Sequence, residues 1–297
     1  MKILKVINNN VVSCTDKDGQ EIVVMGKGLG FQAKQGFQLD EKMVEKIFRM
    51  ESQNDIDKLK NLFTLLPPEH IRLSDKIISY AKRALTTHLN QNLYLTLTDH
   101  VSMVISRVQE GIMVPNGLLS EVRAFYPREF AVGRYALELI EAEFKICLPD
   151  DEAASIALHL VNAEYDTSIG QMLQITQVMQ ELLAIIQQEK GIGDLEDSLY
   201  YDELVVHLKF LVMRVFNSEP DGPPDPEFVQ AIRSVYPEEF HCANKVSERL
   251  EEVSHRQVTQ EKRAYLAVNI RRMCRIGDHT RRRADQLAAF STSEGMV

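Results

Sequence analysis

The 297 residues are enough for two to three domains at ~100–200 residues each, and 44% hydrophobic with 26% charged residues suits a chain that buries a real core. No apolar run reaches the ~18 residues a membrane span requires, and Met1–Ile7 gives way to Asn8-Asn9-Asn10 too soon for a signal peptide. The net charge of −9 argues against a generic nucleic-acid binder, but residues 1–38 hold five Lys against three acidic residues, a net +2, which leaves −11 on the rest.

The four cysteines, Cys14, Cys147, Cys242 and Cys274, lie far apart with no CxxC. They read as reduced thiols of a cytoplasmic protein, not as a disulfide frame or zinc site. A small, mildly basic head on an acidic body is therefore expected, with nucleic-acid contact open to the head alone.

Residues 2–7 and 10–15 are β-branched and apolar on either side of the three asparagines. Asn tolerates positive φ and bonds its own backbone, so a tight hairpin is predicted. Asp18-Gly19 marks a second turn and Glu21–Met25 a third strand. Gly26-Lys-Gly-Leu-Gly-Phe-Gln32 follows, and a fourth short strand is expected up to Gln38. The head is thus about fifty residues of antiparallel β, a poor isolated core, so dimerisation is expected.

From Asp40 the pattern turns polar and helical, and residues 51–62 read as a hinge closed by Pro67-Pro68. Ser74-Asp75 is expected to cap a helix with the stripe Ile78, Ala81, Leu85, Leu89. Everything beyond is helical by period, broken at Gly111–Gly117, Asp166–Gly170, Gly191–Gly193 and Asn217–Pro226. Arg271, Arg272, Arg275, Arg281, Arg282 and Arg283 make a basic cluster, either a solvated tail or a nucleic-acid contact, and 284–297 reads as unstructured.

The helical body is a duplication. Val122-Arg-Ala-Phe-Tyr-Pro-Arg-Glu-Phe130 matches Ile232-Arg-Ser-Val-Tyr-Pro-Glu-Glu-Phe240 at an offset of 110. Leu97-Thr-Asp-His100 returns as Leu204-Val-Val-His207 at an offset of 107, and Arg107 returns as Arg214. The three-residue slip falls at the Pro220–Pro226 loop. At the offset of 110, Ala157-Leu-His-Leu160 meets Ala267-Val-Asn-Ile270, so three of four matched positions are His (100, 159, 207) and the fourth is Asn269.

Each His sits in an apolar helical run, and His100 and His207 have an Arg seven residues on, about two turns away on the same face. A lone His on such a face is usually a hydrogen-bonded core residue. Recurrence at matched positions weighs against that, because drift after duplication need not keep a polar group there. No ligand spacing such as His-x3-His supports a metal, and no GxSxG supports a hydrolytic nucleophile. Imidazole is a competent nucleophile toward phosphoryl donors. Asp99 could orient the His100 ring, and Arg107 and Arg214 could pair with an added phosphate. His70, His88, His241, His255 and His279 have no repeat partner and read as structural or surface residues.

In the head, the Gly26-x-Gly28-x-Gly30 run fits neither a dinucleotide loop nor a P-loop. With the asparagine tip, Lys27 and Phe31 it offers amide readers, a phosphate cation and a stacking ring, a set suited to irregular RNA. A plain Gly-rich turn with a core Phe is the other reading.

These residues together, Lys5-Val-Ile-Asn-Asn-Asn-Val11, Val24-Met-Gly-Lys-Gly-Leu-Gly-Phe-Gln32, Leu97–His100, Ile156-Ala-Leu-His-Leu-Val-Asn162 and His207-Leu-Lys-Phe210, resemble the bacterial transcriptional antiterminators of the β-glucoside operon type. The resemblance runs from residue 1 to about 275. It implies a multidomain α+β chain: a dimeric antiparallel β head that binds RNA (1–55), a linker (56–66) and two homologous all-α phosphotransferase-system regulation domains (67–170 and 171–280); the basic tail (281–297) lies outside the usual family pattern. It implies a cytoplasmic homodimer that binds a hairpin in a nascent leader transcript and so prevents a terminator from forming, a regulator and not an enzyme.

By the family pattern, RNA contacts fall on Lys5, Asn8, Asn10, Gly26, Lys27, Phe31 and Gln32, and phosphorylation on His100, His159 and His207. The donors would be the phosphocarrier HPr and the sugar permease of the phosphotransferase system, with no cofactor or metal. Asn269 stands where many members have a fourth His, and Lys27 where Arg is frequent; Lys lacks the planar fork of Arg. A phosphoryl-relay component with the same histidines, and a DNA-binding activator with a helix-turn-helix head, are the alternatives. The head gives the first no role, and its strand pattern speaks against the second.

Overall fold

The computed structural model describes residues 1–50, 52–191, 199–218 and 222–274. Strands β1 (Lys2–Asn8), β2 (Val11–Thr15), β3 (Glu21–Met25) and β4 (Lys46–Phe48) form one antiparallel sheet in the order β1-β2-β3-β4. The first hairpin turns at Asn9-Asn10, with Asn8↔Val11 the last paired residues. The fourth strand expected before Gln38 is not there. Residues 26–45 form turns, an isolated bridge at Gln38 and a short 3-10 turn at Glu41–Met43, and the fourth strand is β4, paired Val23↔Phe48 to Met25↔Lys46. A helical start at Asp40 is corrected in the same way.

Side chains alternate across a strand, so the sheet has two apolar faces. Ile3, Val12, Cys14, Ile22 and Val24 face Leu29 and Leu39 of the head's own loop. Val11, Val23, Met25 and Phe48 join a second core with the helices that follow. Residues read as a hinge form helix α1 (Gln53–Leu65), capped by Ser52, whose hydroxyl accepts from the Asp55 amide. Ile56, Leu59 and Phe63 on α1 are buried, and the Phe48 ring meets the rings of Phe63 and Tyr94 edge to face at 5.1 and 5.2 Å. Thus the face that a fifty-residue head alone would leave bare is covered by the same chain.

Helix α2 (Pro68–Leu85) starts six residues before the expected Ser74-Asp75 cap. Pro68 is suited to the first helical turn, where its missing N–H costs nothing. Ser74 is instead buried inside the helix and donates to the His70 carbonyl. Ile78, Ala81 and Leu85 of the expected stripe are buried on α2, but the helix ends at Leu85 with Thr86 left-handed (φ 56°), so Leu89 is buried outside it. Helices α3 (Leu93–Gln109), α4 (Leu119–Phe125), α5 (Pro127–Phe144) and α6 (Asp150–Tyr165) complete the first repeat. Helices α7 (Ile169–Lys190), α8 (Leu199–Phe216), α9 (Pro226–Val235), α10 (Pro237–Ser254) and α11 (residues 260–274) follow. The contacts divide the chain into two compact units, Met1–Leu173 and Gln174–Val297. Among the described residues no helix is long and apolar enough to cross a membrane.

The duplication is visible in the backbone. Tyr126 (φ −131°, ψ 52°) separates α4 from α5, and Tyr236 (φ −128°, ψ 60°) separates α9 from α10. The following Pro opens each second helix, and both run 18 residues to a left-handed cap, Lys145 (φ 60°) and His255 (φ 56°). Arg271 and Arg272 are not tail residues: they lie in α11 and pair with Glu239 (3.2 Å) and Glu203 (2.9 Å). Arg275, Arg281, Arg282, Arg283 and residues 284–297 lie outside the described residues.

Candidate RNA-binding and histidine sites

The hairpin tip and the glycine loop form one surface on the head. The Gly26 amide donates to the Asn10 carbonyl (2.9 Å) and the Gly30 amide to the Asn9 carbonyl (3.0 Å). The Asn10 side-chain oxygen accepts from the Gly28 amide (2.9 Å), and the Asn8 side-chain oxygen from the Asn10 amide (2.8 Å). A Cβ at Gly26 would land on the Met43 carbonyl, so only glycine lets the loop lie this close. The loop therefore holds Lys27, Phe31 and Gln32 outward; the Phe31 ring is 66% exposed. Lys5 is exposed on β1. An aromatic ring left bare on a turn that also carries an exposed cation has the chemistry to stack on an unpaired base. The Asn10 side-chain oxygen thereby helps shape the loop. The Asn8 amide group donates to the Phe63 carbonyl of α1 (2.8 Å), so that side chain touches the helical body.

In the first repeat α3 and α6 bring His100 and His159 together, ring centroids 4.7 Å apart. Both line a cavity of about 360 Å³ with Asp99, Met103, Asn116 and Ser155. His159 is buried, and burial, with the neighbouring His100 second, pushes its imidazole down to about 3. It is neutral at pH 7, as a nucleophile must be. Asp99 is exposed and makes no hydrogen bond to His100. The carboxylate at the His100 ring is Glu152, at the start of α6, with its Oε2 3.5 Å from His100 Nε2 and its Oε1 accepting from Arg107. Arg107, read as a phosphate partner, is thus engaged by Glu152. Glu152 is a residue sequence reasoning missed; the sign was there, since the position 110 residues on is Lys262.

In the second repeat His207 on α8 and Asn269 on α11 line the matching cavity, about 300 Å³, with Arg214, Lys262, Tyr265 and Arg272. The Asn269 amide donates to the Tyr265 carbonyl (3.0 Å), an interaction inside its own helix. Of the histidines without a repeat partner, His70 is buried on α2 with Nδ1 2.9 Å from the Ser102 hydroxyl, a structural role.

Residues 1–57 match the family model described as CAT RNA binding domain, and residues 75–163 and 180–273 each match the PRD domain. The chain belongs to the CAT–PRD transcription antiterminators. It is 39% identical to "Transcription antiterminator LicT" of Bacillus subtilis over 92% of this chain and 99% of that one. It is 37% identical to "Beta-glucoside operon antiterminator" of Dickeya chrysanthemi, over 92% and 96%. Among solved structures, "Crystal structure of GlcT CAT-PRDI" aligns with a TM-score of 0.49 at 29% identity, covering 55% of this chain and 97% of that one. CAT–PRD antiterminators are RNA-binding regulators and not enzymes, which sets aside a phosphoryl-relay component. They carry a CAT head ahead of PRD repeats, and in this chain the head is the four-stranded sheet and the repeats are the helical units.

Proposed function

We propose that this antiterminator works as a homodimer whose head grips a hairpin in a nascent leader transcript, under sugar control exerted through histidine phosphorylation. RNA contacts are assigned to Lys5, Asn8, Asn10, Gly26, Lys27, Phe31 and Gln32. The observation that carries the reading is the bare Phe31 ring on the same glycine loop as the exposed Lys27, a loop bonded to the asparagine tip. Phosphoryl acceptors are assigned to His100, His159 and His207, with HPr and a sugar permease as donors. Asn269 leaves the second repeat one acceptor. The Asn8–Phe63 bond supports a link between the two functions: a shift of α1 when charge is added to the body would be felt at an RNA-reading side chain.

The test is binding of the full chain to a leader hairpin that precedes a terminator. Phe31→Ala is expected to weaken binding about 10- to 100-fold, the ~1–3 kcal/mol that base stacking contributes. The melting temperature should not move, because the ring is exposed. Unchanged affinity in Phe31→Ala, or equal affinity for a scrambled hairpin, would sink the head assignment.

A further inference from the structure

Glycines at 26, 28 and 30 make the RNA-reading loop a free piece of backbone, and Gly28 takes a positive φ of 70°. Such a loop presents Lys27, Phe31 and Gln32 at fixed places only if its backbone is held from outside. On one side the asparagine tip holds Gly26, Gly28 and Gly30. On the other stands Glu45, just ahead of β4. Its Oε1 accepts from the Lys27 backbone amide (3.2 Å), and its own backbone N–H donates to the Met25 carbonyl (2.9 Å). Glu45 also reaches the first repeat: its Oε2 accepts from Arg72 Nε on α2 (3.2 Å). One carboxylate thus joins the loop to the helical body.

Arg72 stands on a fixed platform. Its chain neighbours Ile71 and Leu73 are buried, and His70 Nδ1 lies 2.9 Å from the Ser102 hydroxyl on α3. Next to the Glu45–Arg72 pair, Lys46 Nζ lies 2.6 Å from Asp75 Oδ1, also on α2. Residues 45 and 46 are therefore tied to α2 twice, and the loss of one tie leaves the other.

We propose that Glu45 is a positioning residue for the RNA-reading loop and that Arg72 holds it in place, so that the first repeat contributes to hairpin affinity through residues that touch no RNA. The inference rests on the assignment of RNA contacts to this loop. The charge of Glu45 gives the two possible roles opposite signs. A carboxylate at an RNA-binding loop repels phosphate, so with no further role its removal would tighten binding. A brace acts the other way: without it the glycine loop samples more conformers, and ordering it on RNA costs more. Arg72 serves both ends, since it fixes the carboxylate and offsets its charge. The Glu45 and Arg72 side chains are 43% and 34% exposed, so neither substitution endangers the fold.

The test is binding of the full chain to the leader hairpin used for Phe31→Ala, over a range of salt, with melting temperatures on the same samples. Glu45→Ala is expected to weaken binding about three- to tenfold, the size of one hydrogen bond to the backbone. Glu45→Gln keeps an oxygen that can accept from the Lys27 amide and should recover part of that loss. Arg72→Ala should weaken binding about two- to threefold in the parent and not at all in Glu45→Ala, because its effect passes through that carboxylate. These losses leave the slope of log affinity against log salt unchanged, whereas Lys27→Ala, which removes a phosphate contact, makes it shallower by about 1. Lys76→Ala removes another cation of α2, paired with Glu143 at 2.8 Å, and should leave affinity unchanged.

Tighter or unchanged binding in Glu45→Ala overturns the proposal. So does an Arg72→Ala loss that persists in Glu45→Ala or makes the salt slope shallower by about 1, which would mark Arg72 as a direct phosphate contact. An equal loss in Lys76→Ala would trace the effect to overall charge and overturn it as well. Phe31→Ala separates this outcome from failure of the loop assignment. If Phe31→Ala weakens binding and Glu45→Ala does not, the brace alone is rejected; if neither does, the loop is not the surface that reads RNA.

Discussion

In the first repeat a buried carboxylate, Glu152, stands between His100 and Arg107; at the matched place in the second, Lys262 lines a cavity with His207 and Arg214. The matched helices α5 and α10, next to those that present these residues in the chain, carry nearly the same dihedral signposts, from the Tyr-Pro break to the left-handed cap. The scaffold has therefore been kept by backbone constraints while the charge at its site has been free to invert. A helix break needs a particular φ and ψ, which few residues supply; a pocket wall needs only a side chain of tolerable size. Duplicated domains can in this way offer one architecture with two electrostatic responses.

The largest effect expected from breaking the comparison is at Glu152. Glu152→Ala leaves Arg107 partly buried without its carboxylate and should cost about 3 kcal/mol in urea unfolding. Lys262→Ala, at a half-buried position, should cost well under half as much. Equal losses would mean that Glu152 is not the structural keystone of its site.

A smaller loss is expected from Gly133→Ala. Helix α5 crosses α6 so closely there that a Cβ would strike the Ala153 carbonyl. The matched residue in the second repeat is already Ala243. The substitution should cost about 2 kcal/mol even after the gain in helix propensity. A stability gain would show that α5 and α6 can part without penalty.

The third difference is in pH. His159 has its pKa held down to about 3, chiefly by burial. A histidine with a lowered folded pKa binds its proton more readily when unfolded, so stability is intact above the unfolded value of about 6.5 and falls as pH drops toward 3. His159→Asn, which copies Asn269, should remove up to about 2 kcal/mol of the stability lost between pH 7 and pH 5. Urea midpoints at the two pH values measure it; parallel shifts in parent and variant would place the acid sensitivity elsewhere.

Much of this was legible along the chain. The three long strands, the repeat and the histidine positions follow from local pattern: β-branched runs at period 2, turn residues at fixed places, and matched segments at one offset. What was misread has a common cause. Lys46-Ile-Phe48 lies in a polar stretch and is a strand only because β3 offers it a partner. Ile56, Leu59 and Phe63 have helical spacing, but the charges between them disguised α1 as a hinge, and its burial comes from Phe48 and the sheet face. The true start of α2 was hidden because Ser74-Asp75 has the chemistry of a cap, while Pro68 has the geometry of one.

By itself the sequence determined that a small β head precedes a doubled helical body, because turns, periods and repeats are local or self-matching signals. Only the tertiary structure decided which charged group stands at each histidine. Arg107 is held by Glu152, from a helix some fifty residues further on, whose other carboxylate oxygen lies 3.5 Å from His100, while Asp99, adjacent in the chain, is exposed. Neighbours in sequence share a helix but not a face, and the electrostatics of a buried ring are set by whatever the packing brings within a few ångström.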